Sequence, residues 1–148
     1  MAEMKSASGS RVSGQVRITP TGSKGAQVSV QLQGLEPNSK HGFHVHEKGD
    51  CSAADFSSAG GHFNPAGGTH GAPGSMQHHA GDLGNITADA SGSVRTTIDA
   101  PQLTIGSGAT DVVGKAIIVH AKPDDLKTQP TGDAGGRLAC GVVMAQGR

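Results

Sequence analysis

Val12-Ser13-Gly14-Gln15-Val16-Arg17-Ile18 and Val28-Ser29-Val30-Gln31-Leu32 each place an apolar or small residue at every second position. Successive side chains of an extended chain point to opposite faces, so this period of two marks half-buried strands. Thr21-Gly22-Ser23-Lys24-Gly25 between them is turn chemistry, and the pair reads as a hairpin. Working outward, further strands are expected at roughly 42–47, 86–88, 94–98, 115–120 and 138–144, with Asp89-Ala90-Ser91-Gly92 as another hairpin turn. No window keeps a helical period. Seven or eight short strands separated by turn signals predict an all-β antiparallel sandwich or flattened barrel.

The chain has 148 residues, the size of one domain, and residues 1–148 are expected to form it without an internal linker or repeat. With 34% apolar and 16% charged residues it can bury a core. Twelve basic residues balance twelve acidic ones, which argues against a nucleic-acid binder of the basic type. Tryptophan and tyrosine are absent, so stacking platforms for bases are poorly supplied. No run approaches the roughly 18 apolar residues of a membrane span.

Chemistry concentrates in two segments that break the strand pattern, residues 48–82 and 121–136. Loops of such length in a compact domain are normally functional or disordered. Seven of the eight histidines lie between His41 and His79. In Phe43-His44-Val45-His46, alternation sends Phe43 and Val45 to the core and His44 and His46 together to the other face, a good start for a metal site. The following loop supplies His62, His70, His79 and Asp82, three nitrogens and a carboxylate that could close a tetrahedral zinc shell. His120 ends the apolar strand Ala116-Ile117-Ile118-Val119. These seven candidates are too many for one first-row metal and one too few for two separate four-ligand sites, unless one imidazole uses both ring nitrogens. Four imidazoles in a flattened arrangement suit Cu(II), and three with an aspartate suit Zn(II).

Gly42-Phe43-His44-Val45-His46-Glu47, Gly61-His62-Phe63-Asn64-Pro65, His79-Ala80-Gly81-Asp82-Leu83-Gly84-Asn85 and Gly135-Gly136-Arg137-Leu138-Ala139-Cys140-Gly141 resemble the copper–zinc superoxide dismutases from about residue 12 to residue 145. The resemblance implies an eight-stranded Greek-key sandwich with two long functional loops. It implies copper on His44, His46, His62 and His120, and zinc on His62, His70, His79 and Asp82, one ion of each per subunit, with His62 bridging. Asp124 matches the carboxylate that accepts hydrogen bonds from ligand histidines and so orients them. Arg137 matches the active-site arginine, whose fixed charge and forked donors suit a small anion. Thr131 falls at the channel mouth, His41 at a structural position, and Cys51 and Cys140 at the intrasubunit disulfide. His78 has no counterpart, and Pro130 stands where many eukaryotic members carry a lysine that Lys127 could replace.

The activity so implied is disproportionation of superoxide to dioxygen and hydrogen peroxide, with His62 and Arg137 as the residues that act in turnover. A homodimer and a copper-delivery partner belong to the same expectation. The Gly49-Asp50-Cys51 run looks bacterial, and with the disulfide it favours the periplasm or the exterior over the cytoplasm. Two rivals are weighed against this reading. A non-catalytic copper carrier or zinc buffer would tend to lack part of the copper set or the arginine. A zinc hydrolase would need an open zinc position and a general base.

Overall fold

The structure is a computed structural model that describes residues 2–6, 12–20, 26–52, 56–63, 81–100, 103, 105, 111–124 and 137–144. Among the described residues eight strands run in chain order: β1 (Ala2–Ser6), β2 (Ser13–Pro20), β3 (Ala26–Gln33), β4 (Lys40–His46), β5 (Asp82–Thr87), β6 (Val94–Ala100), β7 (Ala116–His120) and β8 (Arg137–Val142). Their spatial order is β5-β4-β7-β8-β1-β2-β3-β6, and every ladder is antiparallel. β5 and β6 approach each other as well, so the sheet curls into a flattened barrel. The β3–β4 and β6–β7 connections each cross from one half-sheet to the other, which is Greek-key topology.

The expected hairpin is present as β2 and β3, paired from Ser13↔Gln33 to Pro20↔Ala26; its turn at 21–25 lies outside the described residues. Val16 and Ile18 from β2 meet Val28, Val30 and Leu32 from β3 in the core, as the alternation requires. From the other half-sheet, Phe43, Val45, Ile117 and Val119 pack into the same core at 0% exposure. Each such side chain contributes roughly 1.5–3 kcal/mol by leaving water.

β1 is a strand that alternation did not reveal. Its sequence AEMKS carries the core residue Met4, and its pairing is tertiary: Ala2 to Met4 lie along β2, whereas Lys5 and Ser6 lie along β8. This single strand therefore joins the two half-sheets. β5 also begins four residues earlier than the expected strand, taking in Asp82. Among the described residues of the 48–82 loop, Ser57–Ala59 form a 3₁₀ turn.

β4 differs from a half-buried strand in one telling way. Residues 41–46 are all buried, so both faces are covered. Phe43 and Val45 face the main core. On the other face Phe56 and Ala59 from the loop pack with Ala116, Ile118 and Cys140 into a second, smaller apolar cluster, with Cys51 against it. Backbone bonds stitch this loop to the end of β4: Glu47 N–H to the Gly61 carbonyl at 2.9 Å, Lys48 N–H to the Ala59 carbonyl at 3.0 Å and Phe63 N–H to the Val45 carbonyl at 2.7 Å.

A disulfide between Cys51 and Cys140 fastens the loop to β8 across a sequence separation of 89. Chain-entropy reasoning gives such a closure roughly 4–5 kcal/mol. Replacing both cysteines by serine is therefore expected to lower the unfolding free energy by about that amount, read by urea denaturation. A change under about 1 kcal/mol would show that the crosslink does little for the folded state.

Candidate metal centre

Cross-strand register decides which residues share the loop-covered face. In the β4–β7 ladder His44 lies opposite Ile118 and His46 opposite Ala116, while Phe43 and Val45 pair with Val119 and Ile117 on the core side. His120, two residues beyond Ile118, returns to the face of His44 and His46. His62 arrives from the loop and forms an isolated antiparallel bridge with His46.

Two irregularities aim the remaining groups. Between β4 and β5 the register shifts between Gly42 and His44, so that Gly42 faces Asn85 but His44 faces Asp82. The extra residue lies on β5, where Gly84 takes φ 80, a conformation that side chains rarely adopt. Leu83 and Ile86 can then both enter the core, and Asp82 turns to the histidine face. Between β7 and β8 the register shifts after Val119, leaving Leu138 as the extra residue and placing Arg137 opposite His120. Without that bulge Arg137 would point to the core side.

Together these devices gather His44, His46, His62 and His120, all buried, with one ligand atom from each lying within 4.8 Å of the others. The ring centroids trace a four-cornered circuit. Neighbours are 3.9 Å (His44–His62), 5.0 Å (His62–His46), 5.3 Å (His46–His120) and 4.7 Å (His120–His44) apart. Both diagonals are longer, 6.1 Å for His44–His46 and 6.2 Å for His62–His120. A tetrahedral cluster would make all six separations alike, so this one is flattened.

Three of the rings are held by one nitrogen so that the other faces the centre. His44 Nε2 donates to Asp124 Oδ2 at 2.6 Å. His46 Nδ1 donates to the Gly60 carbonyl at 2.8 Å, leaving its Nε2 at 3.3 Å from His120 Nε2. His62 Nδ1 lies 2.7 Å from Asp82 Oδ1. His44 Nδ1 and His62 Nε2 are buried and make no hydrogen bond. Two buried imidazole nitrogens that make no hydrogen bond, facing His46 Nε2 and His120 Nε2, suit a cation. A set of imidazole nitrogens, three of the rings anchored from behind, suits a transition metal.

Residues outside the ligand set carry the anchors. Asn85 grips Asp124 at both backbone groups, its Oδ1 accepting the Asp124 N–H at 2.6 Å and its Nδ2 donating to the Asp124 carbonyl at 3.0 Å. His41 Nδ1 lies 2.8 Å from the His120 carbonyl and its Nε2 2.6 Å from Ser39 Oγ, so it pins the backbone of His120 in the structural position expected for it. Arg137 Nη1 donates to the Phe56 carbonyl at 2.6 Å and Nη2 to the Gly60 carbonyl at 2.7 Å. Sequence reasoning passed over Asn85, Gly60 and Phe56. Asn85 sits within a quoted motif and offered a signal, whereas backbone carbonyls carry none. His70, His79, Thr131, His78, Lys127 and Pro130 lie outside the described residues.

Residues 12–143 match the family model described as Copper/zinc superoxide dismutase (SODC). The chain belongs to the copper/zinc superoxide dismutase family. It is 40% identical over 136 residues to "Superoxide dismutase [Cu-Zn] 2" of Aquifex aeolicus, a match covering 89% of this chain and 79% of that protein. Among solved structures, a SOD-like protein from Bacillus subtilis superposes with a TM-score of 0.87 at 35% identity, covering 97% of each chain. The clock protein EA4 superposes with a TM-score of 0.86 at 36% identity, covering 95% of this chain and 90% of that one. A family known by its two metals thus agrees with the metal-binding character of the histidine cluster.

Burial sets the protonation of His44 and His46. Desolvation, with the neighbouring His62 adding to it, lowers the His44 pKa from 6.5 to about 4 against the opposing hydrogen bond that His44 makes to Asp124. Desolvation likewise holds His46 well below its ordinary value, with His62, His120 and Arg137 reinforcing it. Between these limits the unfolded chain binds more protons than the folded one, so stability falls as pH falls. For the metal-free protein, the urea midpoint is expected to drop as pH is lowered from 6.5 towards about 4, and NMR titration should find His44 neutral at pH ~5. A His44 that titrates near its ordinary value would contradict the assignment.

Proposed function

We propose that this chain is a superoxide dismutase, converting two superoxide anions to dioxygen and hydrogen peroxide. The observation that carries the reading is the flattened cluster of four buried imidazoles beside an anchored arginine. His44 Nδ1, His46 Nε2, His62 Nε2 and His120 Nε2 would hold copper. His62 Nδ1 and Asp82, with His70 and His79, would hold zinc. When bound, copper supplies reversible one-electron exchange with superoxide in both directions. What supports zinc on the far side of His62 is the carboxylate already facing that ring nitrogen.

The protein's own groups account for the rest. Arg137 is half-buried, held by two carbonyls and aligned with His120 across the β7–β8 ladder, so its charge is presented beside the cluster at little ordering cost. With no net charge on the chain, attraction of a small anion must come from such local fields rather than from a monopole. His62 Nε2 would be the atom through which a proton reaches product, and Asp82, on the Nδ1 side of the ring, keeps the imidazole in place. Asp124 fixes His44 and is itself fixed by Asn85.

A homodimer and a copper-delivering partner are part of this reading on the strength of the family resemblance. Placement in the periplasm or exterior rests on the disulfide, which oxidising compartments favour; a cytoplasmic protein is the alternative.

Metal analysis paired with a superoxide-consumption assay tests the proposal, since a copper carrier would bind the ion without turnover. Arg137→Glu is expected to slow turnover on the order of 10- to 100-fold at low salt while both metals stay bound. Unchanged rates at low salt would remove Arg137 from its role.

A further inference from the structure

The peptide group joining Gly60 to Gly61 is bound at both ends. Its carbonyl oxygen accepts from His46 Nδ1 at 2.8 Å and from Arg137 Nη2 at 2.7 Å. Its N–H donates to Glu47 Oε2 at 3.0 Å. One amide plane therefore connects an exposed carboxylate to a buried imidazole of the metal cluster and to the guanidinium beside it.

This plane has little to orient it except its hydrogen bonds. Glycine stands on both sides, and Gly60 takes φ 74. A small rotation would aim the carbonyl away from both donors. Glu47 opposes that rotation twice, since its own backbone N–H also donates to the Gly61 carbonyl at 2.9 Å. Its side chain occupies the space where a Cβ on Gly60 would stand, within 2.9 Å of Cγ and 3.1 Å of Oε2. An acceptor on the N–H also polarises the amide and strengthens its carbonyl as an acceptor, which suits an oxygen serving two donors.

We propose that Glu47 is a positioning residue for the dismutase centre, setting His46 and Arg137 jointly through the Gly60–Gly61 peptide. The inference rests on the dismutase reading, and it extends that reading to a residue that touches neither metal nor substrate.

The test compares the fully metallated protein with its Glu47→Gln and Glu47→Ala variants, using azide as a small anionic probe followed by the visible copper spectrum. Removing a nearby negative charge would by itself strengthen anion binding. Glu47→Gln removes the charge but keeps an oxygen that can accept the Gly61 N–H, so it is expected to bind azide as tightly as the parent or tighter, with an unchanged spectrum. Glu47→Ala removes the hydrogen bond too, and is expected to weaken azide binding several-fold, shift the copper spectrum and lower kcat/KM several-fold at equal metal content. Glu47→Asp, one methylene shorter, should move in the same direction and serves if the alanine variant folds poorly.

An alanine variant matching the parent in spectrum and azide affinity would overturn the proposal, as would alanine and glutamine variants that behave alike. Should the parent bind both metals yet fail to consume superoxide, the dismutase reading falls, while the spectral and azide comparison still decides the role of Glu47.

Discussion

Burying four imidazoles against one another is the constraint around which the molecule is arranged. A buried ring with two unsatisfied nitrogens is expensive, and a protonated one more so. The protein meets this by fastening rings from behind, with Asp124, the Gly60 carbonyl and Asp82 each engaging one nitrogen and directing the other inwards. The anchors have anchors of their own, Asn85 on Asp124 and Glu47 on the Gly60–Gly61 peptide. The centre is thus the innermost part of a network that reaches the surface.

Sheet geometry makes the network possible. Regular alternation brings His44, His46 and His120 to one face, and two bulges add Asp82 and Arg137 to it. The loop after β4 then supplies His62 and closes that face, with the disulfide and a small apolar cluster holding it down. The site lies between two hydrophobic layers, the barrel core on one side and the loop cluster on the other. This sandwiching accounts both for the depressed pKa of His44 and for the rigidity of the rings.

The β2–β3 hairpin, the H-x-H strand and His120 were legible because period-two burial is a local property. The histidine spacing pointed to metal chemistry, and counting ligands pointed to one shared imidazole, a place that only the family resemblance gave to His62. β1 was not read from the sequence, because AEMKS alternates over only four residues and owes its strand form to partners on both sides. The early start of β5 was hidden by its bulge, which puts Leu83 and Ile86 on one face three residues apart. The backbone carbonyls that orient His46 and Arg137 leave no trace in residue identity. Only folding brings Gly60 beside both.

Electron exchange is slow when the surrounding atoms must rearrange each time charge arrives or departs. Here the rings are clamped by Asp82 on β5 and by Asp124 and the Gly60 carbonyl in the connecting loops, and a covalent tie joins the covering loop to the strand that carries Arg137. Such a frame would leave a bound redox metal little nuclear motion to drive between its oxidation states. The reorganisation cost would then be met during folding, once, rather than at every turnover.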